Sequence, residues 1–293
     1  MAQPTKSSIE AVRRTALRKH LARIVPDNLK PALRRLYYFP LDLMDRLSGR
    51  AGGMIPPRSM SFDGVGDFKG IGREFRGYFV ELGGLRPGER VLDVGCGIGR
   101  MAVPLTDYLS KEGGYWGFDI VKQGVDWCQS RISPRFANFH FLHSDIYNKH
   151  YNAGGKVQAR DYRFPFEDRF FDFAFLTSVF THMLPADLEC YLAELARVLK
   201  PGGRALITFF LLNDESRALL GAGRSRLDFR YRPAGPCLAI SKDDPEMAIA
   251  YYEGCVRELF QRHAFALEPI RYGSWCERET FLSHQDIVIA VKG

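Results

Sequence analysis

Three alternating glycines follow a short apolar run and have the types and spacing that bind a nucleotide-like cofactor. Residues 91–100 read Val-Leu-Asp-Val-Gly-Cys-Gly-Ile-Gly-Arg. The apolar residues suit a strand buried on both faces, and Gly95, Gly97 and Gly99 lack the Cβ atoms that would keep a ligand away from the backbone. A helix that begins after this loop directs its first N–H groups at the ligand.

Two acidic residues accompany this glycine loop. The spacing is G-x-G-x-G, with Arg100 where the longer dinucleotide fingerprint has its last glycine. Asp93 lies two residues before the first glycine, and Asp119 ends the next predicted strand. A carboxylate at the end of that strand is placed to accept hydrogen bonds from ribose hydroxyls. The loop and Asp119 together predict a ligand that contains a ribose.

With these residues the chain resembles the class I S-adenosylmethionine (SAM) dependent methyltransferases, specifically the small-molecule enzymes whose first motif reads V-L-D-x-G-C-G-x-G. Three further motifs follow in the family order, at residues 139–145 (Phe-His-Phe-Leu-His-Ser-Asp), 170–179 (Phe-Phe-Asp-Phe-Ala-Phe-Leu-Thr-Ser-Val) and 197–203 (Arg-Val-Leu-Lys-Pro-Gly-Gly). The resemblance covers roughly residues 70–212 well, the C-terminal part more loosely and the first 50 residues hardly at all.

The resemblance implies SAM as the cofactor and assigns residues to its parts. The glycines of the loop are expected beside the methionine portion, and Asp93 is expected to fix the loop or the amino group. Asp119 is expected at the ribose and Asp145 at the adenine amino group. The other expected cofactor contacts are Ile120, Ile146 and Thr177. No metal-ligand set is expected.

A second carboxylate competes with Asp145 for the adenine amino group. Asp145 ends a good predicted strand, whereas Asp161 stands nearer the spacing that the family's Phe-Pro motif, here residues 164–165, keeps from its acidic residue. An insertion at residues 148–163 creates this ambiguity. We favour Asp145 and leave Asp161 as the alternative.

His182 is the candidate general base. It follows the fourth predicted strand in Thr-Ser-Val-Phe-Thr-His, and its ordinary pKa of about 6.5 suits proton transfer from a hydroxyl nucleophile. The alternative is a structural histidine that orders the loop and excludes water, because relatives that methylate other atoms carry histidine here as well. His284, just before the last predicted strand, is a weaker candidate base.

The class of methyl acceptor is narrowed mainly by motifs that the sequence lacks. After the fourth strand the chain reads Thr-Ser-Val-Phe, without the D/N-P-P-Y/F turn of nucleic-acid amino-methylating enzymes or the paired glutamates of protein arginine methyltransferases. Ser-Val-Phe-Thr-His and the insertions look like bacterial enzymes that O-methylate sugars or other biosynthetic intermediates. The alternatives are a methyltransferase of a lipid or quinone at the membrane surface, a non-catalytic SAM-binding regulatory or scaffold protein, and a nicotinamide-dependent oxidoreductase.

Alternating strand and helix patterns position these residues and predict an α/β fold with helices on both faces of the sheet. The predicted strands are residues 90–94, 115–119, 139–143, 171–177, 205–211, 265–272 and 286–291. Helices are predicted from Pro185 to residue 199 and over residues 246–262. The resemblance implies a Rossmann-like seven-stranded sheet in the order 3-2-1-4-5-7-6, with the last strand antiparallel.

The predicted organisation has three segments. Residues 1–50 form a basic helical N-terminal extension with helices at 8–25 and about 28–38, and residues 51–72 form a Gly/Pro-rich connecting loop. Residues 73–293 form the methyltransferase domain, with insertions at about 148–163 and 213–243 that are expected to read the substrate. Phe62, Phe68 and Gly72 either touch SAM or belong to a plain linker.

Charge is concentrated in the N-terminal extension. Residues 1–50 hold 11 of the 41 Lys and Arg residues and 4 of the 34 Asp and Glu residues, so the net charge of +7 falls there and 30 residues of each sign remain. A neutral body argues against a nucleic-acid partner and leaves a small-molecule acceptor. The basic helix either contacts an anionic membrane surface or packs as a lid on its own domain.

Localisation is predicted from what the sequence lacks. There is no apolar run long enough to span a membrane and no signal-peptide h-region, and the six cysteines lack metal-binding spacing. A cytoplasmic protein, with an optional peripheral contact at the inner face of a membrane, is expected. The oligomeric state does not follow from the sequence.

Overall fold

The computed structural model describes residues 30–47, 53–60 and 67–293, so the helix expected at residues 8–25 lies outside the described residues. The chain divides into two units, Met1–Val65 and Gly66–Gly293. The first unit contains helix α1 (Lys30–Leu47), which is longer than the helix expected at about 28–38. One face of α1 holds the 3₁₀ turn Arg58–Met60, because Asp42 accepts the Arg58 N–H at 2.7 Å.

The second unit contains the seven-stranded sheet that the sequence predicts. In chain order the strands of this unit are β1 (Arg90–Val94), β2 (Gly114–Asp119), β3 (Phe139–His143), β4 (Phe171–Leu176), β5 (Leu199–Phe209), β6 (Leu211–Leu212), β7 (Cys237–Ala239), β8 (Ile249–Tyr252), β9 (Phe265–Leu267) and β10 (Asp286–Lys292). Strands β6, β7 and β8 belong to a separate, smaller sheet. The order in the large sheet is β3-β2-β1-β4-β5-β10-β9. The first five are parallel and β10 runs antiparallel to β5, which confirms the predicted order and the antiparallel last strand.

Helices cover both faces of this sheet. They are α2 (Phe68–Glu81), α3 (Ala102–Leu105), α4 (Lys122–Arg131), α5 (Pro185–Val198), α6 (Asp214–Gly221) and α7 (Glu253–Arg262). Phe175 of β4 stacks on Phe79 of α2 with 4.2 Å between ring centroids, whereas Leu176 packs with Leu192 of α5 in the main core cluster. Successive residues of a strand point to opposite faces, so α2 and α5 lie on opposite sides.

A second, three-stranded sheet in the order β6-β8-β7 corrects the predicted helix at 246–262. Only Glu253–Arg262 is α-helical, and the 3₁₀ turn Pro245–Met247 and β8 precede it. The four-residue spacing of the apolar side chains suggested helix, but Tyr251 pairs with Leu211 on one side and Cys237 on the other. Pairing between segments distant in sequence therefore overrides the local pattern. The insertion at 213–243 contributes α6 and β7 to this region.

The expected connecting loop at 51–72 is also corrected, because α2 begins at Phe68 and the 3₁₀ turn Arg58–Met60 lies within that range. Glycine-rich sequence disfavours helix, which explains the prediction. Gly72 nevertheless serves the packing of α2, because a Cβ there would lie 2.6 Å from the Arg100 carbonyl oxygen. Phe68 contacts the same arginine, whose guanidinium lies 5.9 Å from the ring centroid. Phe62 lies outside the described residues.

A buried polar network fixes the junction between β5 and β10. Asp286 accepts hydrogen bonds from the N–H groups of Leu211 and Gly273 and from the Trp275 indole, each at 2.7 Å, and from Arg278 at 3.0 Å. Arg278 is itself buried and donates to Glu215 as well. Burial raises the pKa of Asp286 to about 6, against the lowering effect of these donors, so the carboxylate is charged at neutral pH.

Replacing Arg278 by Met is expected to lower the free energy of unfolding by about 3–5 kcal/mol at neutral pH, because the Asp286 charge stays buried without its cation. Urea denaturation measures the loss. Lys122→Met, which removes only the exposed pair with Asp126, is the control and is expected to cost less than about 0.5 kcal/mol. Equal losses in the two variants contradict the assignment.

The loss of unfolding free energy in Arg278→Met is expected to depend on pH. The pKa of Asp286 is higher in the folded chain than its ordinary 3.8, so the folded state binds a proton more readily than the unfolded state between those values. Protonation removes the unpaired charge in Arg278→Met. Because Arg278 lowers the pKa of Asp286, its removal raises that pKa further. The penalty of the variant is therefore expected to shrink as the pH is lowered from neutral toward about 6 and to change little below that, where the carboxyl is protonated in both proteins.

Candidate functional site

The glycine loop between β1 and α3 has a backbone that only glycine adopts easily. Gly95, Gly97 and Gly99 have φ angles of +83°, +55° and +85°. Space is restricted as well, because a Cβ at Gly95 would lie 2.6 Å from the Val179 side chain. The three glycines therefore allow the turn, and Gly95 also allows Val179, which follows β4, to approach the loop closely.

Asp119 connects this loop to the end of β2. One carboxylate oxygen accepts the N–H of Gly97 at 2.7 Å, and the other accepts the N–H of Val121 at 2.7 Å. The N–H groups of Gly95 and Cys96 bond to the Phe118 carbonyl at 2.9 and 3.0 Å. The loop and the predicted ribose-binding carboxylate thus form one hydrogen-bonded unit at the carboxyl edge of the sheet.

Asp93 lies beneath the loop and has no exposed surface. Its carboxylate accepts a hydrogen bond from the Tyr115 hydroxyl at 2.5 Å, and burial raises the pKa of that phenol well above its ordinary value. Of the two roles expected for Asp93, support of the loop fits this position better than direct contact with a ligand.

The two candidate adenine-binding carboxylates lie at neighbouring places after β3. The Ser144 hydroxyl is 2.6 Å from the Tyr162 hydroxyl, so the residues adjacent to Asp145 and Asp161 are in contact. Asp145 is half-exposed, with Lys156 Nζ 3.9 Å away, and Asp161 is exposed on the 3₁₀ turn Ala159–Asp161. The structure brings both carboxylates to the same edge and leaves the choice between them open.

The three accompanying residues differ in accessibility. Ile146 is buried in the main core, whereas Ile120 and Thr177 are partly exposed. Ile120 follows Asp119 directly, and its carbonyl lies 3.3 Å from His143 Nε2. Ile120 and Thr177 are therefore available at the edge of the sheet, while Ile146 is positioned to pack beneath it.

His182 occupies the 3₁₀ turn Phe180–His182, three residues after Val179 contacts the loop. Its Nδ1 is 2.9 Å from the Glu246 carbonyl oxygen. A carbonyl only accepts, so Nδ1 carries the proton and Nε2 keeps a lone pair. Burial lowers the pKa of His182, opposed by hydrogen bonding to backbone carbonyls. The imidazole is therefore neutral at physiological pH and able to accept a proton.

Residues 148–150 of the first insertion contact residues 243–246, at and just after the end of the second insertion. Asn148 donates to the Glu246 carboxylate at 3.4 Å, Lys149 donates to the Asp243 carbonyl at 3.3 Å, and His150 pairs with Asp244 at 2.5 Å. The Tyr151 ring lies 6.4 Å from that of His182, edge to face. The first insertion, through Tyr151, and Glu246, just after the second insertion, therefore border His182.

Ser178 and Gln285 are part of this edge and were not predicted. Ser178 has a φ of +58°, which is unusual for a non-glycine residue. Its N–H donates to Thr208 Oγ1 at 2.8 Å and its hydroxyl donates to Gln285 at 3.0 Å. No sequence pattern signals a left-handed serine. His284, the alternative base, instead packs its ring against Phe210, and burial lowers its pKa.

Within the described ranges, no group of three or more His, Cys, Asp or Glu side chains is arranged to hold a metal ion. None of the helices there combines the length and apolarity needed to cross a bilayer.

Part of the chain matches a known protein family. Residues 92–207 match the family described as "Methyltransferase domain". The ubiquinone/menaquinone biosynthesis C-methyltransferase UbiE of Vibrio vulnificus is 30% identical over 141 residues, covering 48% of each chain. UbiE of Azotobacter vinelandii is 30% identical over 166 residues, covering 56% of this chain and 58% of its own. The chain therefore spans about half the length of the curated relatives it matches.

The fold has a match among solved structures. The PH0226 protein of Pyrococcus horikoshii superimposes with a TM-score of 0.53 at 17% identity, covering 80% of this chain and 95% of that protein. The matched family spans the glycine loop, Asp119 and most of β5. Residues 92–207 of this chain therefore form a methyltransferase domain.

Proposed function

We propose that this protein transfers the methyl group of SAM to a small molecule at the carboxyl edge of the sheet. The observation that carries the proposal is the position of His182, whose turn follows Val179 in contact with Gly95, and whose Nε2 keeps a lone pair. A proton acceptor thus lies beside the loop that is assigned to the cofactor.

The residues fit SAM by their chemistry. The left-handed loop at Gly95, Gly97 and Gly99 is assigned to the methionine portion, and the buried Asp93, bonded to Tyr115 of β2, is assigned to support of the loop. Asp119 and Ile120 are assigned to the ribose, and Thr177 to the edge near the sulfonium. Asp145, with Ile146 packed behind it, is assigned to the adenine, and Asp161 remains the alternative.

The chain's own groups do two things in the reaction. They align an acceptor with the methyl carbon, and they remove the acceptor's proton. Bound SAM supplies an electrophilic methyl on a sulfonium, so the acceptor's electron pair forms the new bond while the carbon–sulfur electrons return to sulfur. His182 Nε2 takes the hydroxyl proton, which contributes about 100-fold or more to such a step. Positioning between the insertions supplies the rest.

For the acceptor we propose a hydroxyl compound such as a sugar or another biosynthetic intermediate, methylated on oxygen. A second candidate is a quinol methylated on carbon. The similarity to quinone C-methyltransferases favours it, as do the exposed Met247, next to Glu246, and the exposed Tyr151, whose ring lies 6.4 Å from that of His182. One base serves both candidates, because removal of a phenolic proton also makes the ring carbon nucleophilic.

Cofactor binding is tested with Asp119→Ala. We expect this variant to bind SAM at least about 100-fold more weakly in calorimetry, because it loses both the ribose acceptor and the bond that orders Gly97. Asp126→Ala, which removes an exposed carboxylate from α4, is the matched control and is expected to bind as the unmodified protein does. Unchanged SAM affinity in Asp119→Ala would place the cofactor elsewhere.

The base is tested with His182→Ala. We expect kcat to fall about 100-fold or more while the SAM dissociation constant stays the same. Because burial lowers the pKa of His182, the rate is expected to rise with pH only through the acidic range and to be flat near neutrality. That limb is expected to disappear in the variant. His284→Ala is the control. Near-normal turnover in His182→Ala sinks the proposed base.

The acceptor atom and turnover itself are tested with SAM carrying a ¹³C methyl group. Incubation with a cell extract is expected to label a small molecule, and carbon NMR of the isolated product separates an O-methyl from a C-methyl carbon. An O-methyl signal supports the first candidate and a C-methyl signal the second. SAM binding without any labelled product would instead identify a non-catalytic SAM-binding protein.

A further inference from the structure

Helix α1 carries its large apolar side chains on the outside. Eight of them are at least 40% exposed, and Leu47 reaches 81%. They are Leu33, Leu36, Tyr37, Phe39, Leu41, Leu43, Met44 and Leu47. Six of the eight (Leu33, Leu36, Tyr37, Leu43, Met44 and Leu47) follow the three- and four-residue spacing that places them on one helical face. We call these six residues the apolar stripe.

The opposite face of α1 carries the acidic residues. Asp42 is buried and accepts the N–H groups of Arg58 and Ser59, and Asp45 binds the Arg58 guanidinium at 2.6 Å. Tyr38 is buried on the same face. This arrangement reverses that of an ordinary surface helix, in which polar residues face water. The acidic face is already partnered, and the apolar face is the one presented outward.

Charge identifies what the apolar stripe faces. The net charge of +7 belongs to residues 1–50, and both acidic residues of α1 are engaged with the segment around Arg58. A second copy of the chain would bring two such basic extensions together and repel. An anionic bilayer surface attracts Lys and Arg by about 1 kcal/mol each and accepts apolar side chains at the depth of its acyl boundary.

We infer that α1 docks on an anionic membrane surface through the apolar stripe. An 18-residue helix is about 27 Å long and lies in the plane of the interface, with the stripe buried and Asp42 and Asp45 turned away from the lipid. The docking surface does not depend on which acceptor is methylated. Docking adds a location to the proposed function, because it keeps the catalytic unit at a surface where membrane-bound acceptors are concentrated.

The test is sedimentation of the full chain with two kinds of vesicle, phosphatidylcholine alone and phosphatidylcholine with one quarter phosphatidylglycerol. Binding to the anionic vesicles is expected to weaken about 10-fold or more in Leu36→Glu/Tyr37→Glu/Met44→Glu. The matched control, Leu142→Glu/Tyr231→Glu/Phe281→Glu, adds the same charge at exposed apolar residues of the other unit and is expected to bind as the unmodified chain does.

SAM binding by the stripe variant, measured in parallel, is expected to be normal and verifies that it folds. Retained SAM binding with lost vesicle binding supports the inference whatever the fate of the proposed reaction. Failure of the full chain to sediment with anionic vesicles overturns it, as does equal loss in the two triple variants. Self-association that only the stripe variant abolishes, seen by light scattering, overturns it in favour of a second copy.

Discussion

The site depends on the hydrogen bonds that Asp119 accepts from the N–H groups of Gly97 and Val121. A carboxylate at the end of β2 holds three left-handed glycines in the turn between β1 and α3, at little steric cost because these residues have no Cβ. Without that anchor the loop would keep only its bonds from Gly95 and Cys96 to the Phe118 carbonyl, and the surface beside Val179 would be less well fixed.

A second constraint acts from the other end of the sheet. Asp286 and Arg278 are buried together, and their network sets where β5 ends and β10 begins. Gln285, the neighbour of Asp286, accepts the Ser178 hydroxyl and so fixes a residue with an unfavourable φ. The carboxyl edge is therefore held by Asp119 under the glycine loop and by Asp286 at the start of β10.

The features that could be predicted from the sequence are those encoded in short, continuous segments. The glycine loop, Asp119 and the strands of the large sheet show in short patterns, and the resemblance supplied the strand order, which the structure confirms. The predicted start of the helix at 246 was wrong because β8 is defined by pairing with β6 and β7, which no spacing within residues 246–262 encodes. The contact between Ser178 and Gln285 was not predicted for the same reason, because the two residues are 107 positions apart in the sequence. The roles assigned to the site residues stay predictions, including the choice between Asp145 and Asp161, whose positions the insertion brings close together.

The most direct test of the account is a crystal structure of the protein with S-adenosylhomocysteine, the demethylated form of SAM. The account predicts both ribose hydroxyls within hydrogen-bonding distance of the Asp119 carboxylate, the amino-acid portion along Gly95 to Gly99, and the sulfur on the side of the loop that faces His182. Ligand density away from the glycine loop, or a ribose that does not reach Asp119, would contradict it.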